Sequence, residues 1–529
     1  MSSPIRRIVV VGGGTAGWIA ASFLEKWRRS FPAVEIVVIE SPDIGIIGTG
    51  EGATLLFRGF LASMGIDEAA LVREGRATYK LGILFRNWRT GADSYFHPFH
   101  NFNRSSCVTP LNERFDFMAA AAIADGTLGS PHDHLQSALM RHRLSPYFHL
   151  PGEDGLRSLE GVGQCDRDDT DSVAGWGYSF HFDGTEIGKL LRRRASELGV
   201  ERIEGTVDDV VVNPATRSIE SVHLTDGRSI AGDLFIDCTG FRRLLVGERL
   251  GGDWVSYRRH LLCDTAIPFM LPHETDGEID PFTEATALSA GWMWRIPTGD
   301  RIGCGYAFSS AFSDPESAQR EVEAHLGRPI DPVRTISFDP GRLADSWIGN
   351  TVALGLASNF TEPLEATSIH CTLLQMHLLA GVLTPTLDLA ADVVRDQYNR
   401  QVAQILDEVR DFLVIHYLSD RRDTAFWRHL KHTDFLPDRL RRQIELWRHK
   451  PIEDLDFDSY NRFPTFGALP YMYVLNGLGR LDRELAQRSL DRWELSERAR
   501  RTASLRAETI AQLLPHAVSH GELIHLLNS

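Results

Sequence analysis

The sequence predicts a mixed α/β fold, with a doubly wound parallel-sheet unit, an inserted antiparallel sheet and a mostly helical C-terminal region. Three observations predict it. An apolar run, a glycine cluster and a helical pattern open the chain. Turn sequences between alternating runs fill the middle. From about residue 365 onward, apolar residues recur at i, i+3 and i+4.

Taken in order, RIVVV at 7–11 is a short β-branched run that reads as a buried strand. The glycines Gly12, Gly14 and Gly17 follow, and TAGWIAASFLEKWRR has helical spacing. VEIVVIE at 34–40 is a second buried strand, ending in an acid. Strand, glycine turn, helix and strand form the opening of a Rossmann-type nucleotide-binding fold. SIESVHLTDGRSIAGDLFIDCTG at 218–240 reads as two strands around an Asp-Gly turn and then a buried strand. TALSAGWMWRIPTGDRIGCGYAFS has the same hairpin pattern around TGDR. Two hairpins of this kind predict an added antiparallel sheet. DVVRDQYNRQVAQILDEVRDFLVIHYLSD and SERARRTASLRAETIAQLLP are amphipathic helices. The polar stretch at 153–172 is the most loop-like part. These features place a discontinuous nucleotide-binding domain over 1–365 and a helical covering region over 366–529.

Composition narrows the function. The 529 residues carry 56 basic and 71 acidic side chains, a net charge of −15 that disfavours nucleic acid as a partner. Cys107, Cys165, Cys238, Cys263, Cys304 and Cys371 are scattered, with no CxxC pair, which fits a reducing cytoplasm. IRRIVVVGGG turns to glycine too soon for a signal peptide, and no uninterrupted run of 18 apolar residues occurs, so no membrane span is expected.

The glycine spacing is G-x-G-x-x-G. Gly12 permits the tight turn, Gly14 admits a pyrophosphate and Gly17 lets the helix approach the strand. Glu40 closes the second strand 23 residues after Gly17, where a carboxylate can accept hydrogen bonds from ribose hydroxyls. Two later segments, DLFIDCTGF and GNTVALGLASNFTEPLEATSI, resemble pieces that in large FAD-binding monooxygenase-type proteins pack beside this unit and approach the flavin. Three separated pieces favour FAD over a nicotinamide cofactor.

GWMWRIP at 291–297 places Trp292 and Trp294 on one face of a strand. They are core packing, or they wall off a reactive cavity. With GGGTAGW at 12–18, the lysine of YKLG at 79–82, and FTEPLEATSI at 360–369, this run makes the chain resemble the flavin-dependent halogenases of the tryptophan halogenase family over nearly its whole length. The resemblance implies an enzyme using reduced FAD, O2 and bromide or chloride to form hypohalous acid, which halogenates an electron-rich aromatic such as indole or tryptophan. It assigns Trp292 and Trp294 to shielding the flavin, Lys80 to receiving the hypohalous acid, and Glu365 to stabilising the cationic ring or taking its proton. For the cofactor it implies Gly12, Gly14, Thr15, Ala16, Gly17, Glu40, Gly50, Val207, Leu356 and Ile369. The halide site falls on Thr367 and Ser368, and His97 and Phe99 flank the substrate ring. Family members commonly read Ser-Thr-Gly after the second Glu; this chain reads Ala366-Thr367-Ser368, which leaves halide preference open and bromide favoured.

The alternatives are an aromatic hydroxylase using the same cofactor, or a non-catalytic FAD-binding redox sensor. Lys80 with Trp292 and Trp294 argues against the first, and Lys80 with Glu365 against the second. No metal is expected, since neither His97 with His100 nor the HGELIH run ending at His525 has the H-E-x-x-H spacing. The chain shows no second dinucleotide fingerprint, so a separate NADH-dependent flavin reductase is the expected partner; a homodimer is compatible with the sequence. Residues 457–479 do not match the paired tyrosines that hold the amino acid in tryptophan-specific members, so the expected substrate is a small neutral aromatic.

Overall fold

The computed structural model describes residues 5–29, 34–43, 48, 50–99, 117–163, 177–274, 277–384, 391–457 and 466–529. The chain forms two compact units, each assembled from three stretches: 1–75, 183–258 and 339–407 in the first, and 76–182, 259–338 and 408–529 in the second. The chain does not divide at 365. The Thr367–Leu383 helix is buried over most of its surface and packs on the Thr15–Arg28 helix, so it groups with the N-terminal strands.

The first unit is built on a six-stranded sheet ordered Glu201–Glu204, Glu35–Glu40, Arg7–Val11, Leu234–Asp237, Thr351–Ala353 and Trp347–Ile348. All pairs are parallel except the last. The central strand is buried on both faces, with Val9 opposite Val37 and Phe235, as its unbroken β-branched run requires. The Thr15–Arg28 helix packs against both Gly184–Leu198 and Thr367–Leu383. The predicted hairpin forms: Ser218–Leu224 pairs with Ser229–Ala231 around Gly227, and with Val207–Asn213 on its other side. The Leu364–Leu383 segment is long and apolar enough to cross a membrane, but 72% of its apolar window is buried inside the fold, as a core helix would be.

The second unit is built on a seven-stranded sheet ordered Ile336–Ser337, Thr265–Leu271, Ile302–Phe308, Gly291–Pro297, Thr283–Ala287, Gly82–Arg86 and Ser94–Pro98. The TGDR turn joins two of its strands, with Thr298 N–H donating to the Arg301 carbonyl. The two predicted hairpins therefore lie in different sheets. The larger sheet is not purely antiparallel either, because Gly82–Arg86 arrives from far upstream and pairs parallel with Thr283–Ala287. Helices at Phe117–Asp125, Leu135–Arg141, Pro315–Leu326 and from Ala425 onward, with the end of the Asp392–Ile415 helix, also belong to this unit. Cys107, Cys165, His100, residues 164–172 of the polar stretch and residues 458–465 lie outside the described residues.

Candidate active site

The glycine turn is shaped as a phosphate cradle. Gly12 has φ +111°, which side-chain-bearing residues rarely adopt, and a Cβ there would overlap the Cys238 carbonyl. A Cβ on Gly17 would overlap the Gly12 carbonyl oxygen, so helix and turn touch backbone to backbone. Gly14, the N-cap of the helix, is different: a Cβ there meets no protein atom within 4 Å. Open space at that point, before a helix N-terminus with unsatisfied N–H groups, fits a bound pyrophosphate. The turn thus suits a dinucleotide such as FAD.

Glu40 sits beneath this turn, where a Cβ on Gly13 would overlap its side chain. It accepts from Trp18 Nε1 (3.3 Å), from Arg192 (3.3 Å) and from Arg202. Burial opposes its ionisation, but the hydrogen bonds from Arg202 and Trp18 and the charges of Arg202 and Arg192 outweigh this and hold the carboxyl below its ordinary range. Three of about four acceptor directions are taken by the protein, leaving one for a ribose hydroxyl. Thr15 Oγ1 donates to the Gly184 carbonyl, and Ala16 faces Gly355, so the turn carrying Leu356 lies against the fingerprint helix. Gly50 is buried with φ +93°, while Val207 and Ile369 are buried on the same unit. Next to Gly50, burial and the neighbouring Asp183 push the Glu51 carboxyl up to about 7.

Glu365 lies in an unusual turn. Its φ is 67°, and Ala366, capping the Thr367–Leu383 helix, has φ 55°. Two successive non-glycine residues in the left-handed region cost of order 1–3 kcal/mol each, and such outliers cluster at functional sites. The turn buries the Glu365 side chain and leads into a helix N-terminus. Thr367 is buried, its hydroxyl 3.3 Å from that of Thr361, whereas the Ser368 side chain is exposed.

In the second unit, Lys80 ends the Thr78–Lys80 strand, which pairs antiparallel with Ser179–Phe182. It is 1% exposed, and its Nζ lies 5.2 Å from the Phe99 ring centroid. The fold therefore brings Lys80 and Phe99 together, within cation–π range. Gln136 fixes the Phe99 end by donating to its carbonyl at 3.0 Å. His97 is buried in a cluster of protein rings, 5.7 Å from Tyr473 and 6.0 Å from Phe412. Trp292 and Trp294 are buried with centroids 5.9 Å apart, and the Trp294 ring covers Gly305 on the next strand, where a Cβ would overlap it.

The residues not anticipated are two buried histidines beside Lys80. Thr78 Oγ1 donates to the Pro297 carbonyl at 2.6 Å, so His181 Nδ1–H points to that hydroxyl while Thr283 donates to Nε2 at 2.9 Å. Burial, then the charge of Lys80, holds the His181 pKa well below its ordinary value. His520 contacts the backbone of Tyr79, 441 residues away in sequence. Nothing local in the sequence marks either role.

Residues 7–147 and 157–491 match the profile of the tryptophan halogenase family. The chain is 34% identical over 496 residues to the tryptophan 6-halogenase SttH of Streptomyces toxytricini, covering 89% of each sequence. It is 34% identical over 512 residues to the tryptophan 7-halogenase RebH of Lentzea aerocolonigenes, covering 90% of each. A flavin-dependent halogenase from Xanthomonas campestris has a similar solved structure, with a TM-score of 0.81, 31% identity and 99% of each chain covered.

Proposed function

The chain belongs to the tryptophan halogenase family and is an FAD-dependent halogenase, and on that premise we propose that it halogenates a small neutral indole in preference to free tryptophan, with bromide at least as effective as chloride. The observation that carries the reading is a fully buried lysine, Lys80, set over Phe99. Burying an ammonium is costly unless the site uses it.

The chemistry that bound, reduced FAD would supply with O2 is the two-electron oxidation of halide to hypohalous acid. The Gly12–Gly17 turn holds the pyrophosphate, Glu40 and the Leu356 turn border the same cradle, and Gly50, Val207 and Ile369 complete the set. The N–H groups at Thr367 and Ser368 hold the halide. Trp292 and Trp294 keep the aromatic substrate apart from the flavin. Lys80 donates a hydrogen bond to the oxygen of hypohalous acid, drawing electrons from the halogen. The ring carbon then bonds to the halogen as the halogen–oxygen bond breaks, and the departing hydroxide leaves as water once protonated. Glu365 stabilises the cationic ring and accepts its proton. His97 and Phe99 flank the ring.

The preference for a neutral substrate is supported by the charges around the His97 cluster. Asp411, next to the Phe412 ring that faces His97, accepts from Arg439 and Arg410, so its charge is already compensated within the protein. Reduced flavin comes from a separate NADH-dependent reductase in the cytoplasm. Competition between equal concentrations of indole and L-tryptophan, scored by product mass, tests the reading. Predominant halogenation of indole at its most electron-rich carbon is expected; predominant attack on a benzo-ring carbon of tryptophan would overturn it.

A further inference from the structure

The backbone is pinned on both sides of Lys80. Leu81 N–H donates to the Pro281 carbonyl at 2.8 Å. Tyr79 N–H instead donates to a side chain, Nε2 of His520, at 3.0 Å. His520 opens the last helix, His520–Asn528, and is completely buried. Its Nδ1 lies 2.9 Å from the Ile279 carbonyl. A carbonyl can only accept, so Nδ1 carries the proton and Nε2 presents the lone pair that Tyr79 needs. One neutral tautomer satisfies both bonds. Gly521 seats the helix start, since a Cβ there would overlap the Gly277 carbonyl oxygen. The final helix is thereby keyed to the 277–281 segment and, through one imidazole, to the residue before Lys80.

We propose that His520 is a positioning residue for halogenation, fixing through the Tyr79 amide the strand from which Lys80 projects. The proposal rests on the role given to Lys80 above. A displacement of about 1 Å at a reacting group costs roughly 100-fold in rate. A loosened Lys80 strand would leave hypohalous acid forming normally but escaping before transfer. His520 touches no reacting atom, so its loss changes the partition between halogenated product and escaped hypohalous acid.

The test uses full-length protein supplied with reduced FAD, O2, bromide and indole, with a diketone trap for escaped hypobromous acid. His520→Gln carries an amide oxygen that reaches about as far as Nε2 and can accept from Tyr79. His520→Asn reaches only about as far as Nδ1, keeping the Ile279 bond and losing the Tyr79 bond. The Asn variant is expected to lower the ratio of brominated indole to trapped halogen by about tenfold or more, with FAD binding unchanged. The Gln variant is expected to stay within about twofold of the parent protein. An Asn variant with parental partition would overturn the proposal. So would equal losses in both variants, whether of partition or of soluble protein. Lys80→Ala separates the two layers: if it still brominates indole, the Lys80 assignment itself fails. If it does not, and the Asn variant partitions normally, only the role of His520 fails.

Discussion

Acidification should cost this protein stability through His520, and the amount follows from its surroundings. Burial lowers its pKa from 6.5 to about 4, more than offsetting the hydrogen bond to the Ile279 carbonyl. Protonating Nε2 would also set two N–H groups against each other, because Tyr79 N–H already points there. The unfolded chain takes up a proton as pH falls through 6.5, whereas the folded chain resists until about 4. The contribution is therefore complete above pH 6.5, is lost as pH falls toward 4, and is flat below that. At 1.36 kcal/mol per pKa unit, the total is about 3 kcal/mol. His181, also held neutral and buried, and the cation of Lys80 face the same region, and His273 adds a smaller repulsion to a charged His520. Subtracting a variant isolates the one group. Urea unfolding of parent and His520→Gln proteins, followed by tryptophan fluorescence from about pH 7.5 to about pH 4, should show the difference moving by about 3 kcal/mol in favour of the variant at low pH. Parallel pH profiles would refute the argument, since a group absent from one protein would then have contributed nothing.

Two further predictions concern the cofactor cradle and the Glu365 turn. Gly14→Val should weaken FAD binding roughly 100-fold, about 3 kcal/mol, while the apoprotein melts as before, because that position opens onto no protein atom; Gly17→Ala should instead destabilise the apoprotein by about 1–3 kcal/mol through collision with the Gly12 carbonyl. Flavin titration and thermal unfolding check the pair. Ala366→Gly should raise stability by up to about 1 kcal/mol by relieving a φ of 55°, with thermal unfolding of the apoprotein as the measurement.

What the sequence made legible was local. The fingerprint glycines, the strand ending at Glu40 and the hairpin through Trp292 and Trp294 are each decided by neighbours within a few residues, and each forms. The burial of Lys80 accords with its apolar neighbours in YKLGILF, whereas the strand that carries it comes from the structure. The division into two interleaved units was not readable, because the chain crosses between them without a change in composition. Nor were the other partners of Glu40. The pattern indicates an acid at that position, but Arg192 and Arg202 reach it from a helix and strand more than 150 residues away. The same holds for His520, whose HGELIH setting resembles an ordinary helix start. Its role exists only once the last helix meets the Tyr79 amide.

The most direct test of the account is a single-turnover comparison of the parent protein with Lys80→Ala. Each is given chemically reduced FAD, O2, bromide and indole, and both brominated indole and trapped hypobromous acid are measured. The parent should yield brominated indole with little halogen reaching the trap. The Lys80→Ala protein should yield trapped halogen and no brominated indole, because halide oxidation does not require the lysine and transfer does. Undiminished bromination by the variant, or hydroxylated indole as the product of the parent, would contradict the account.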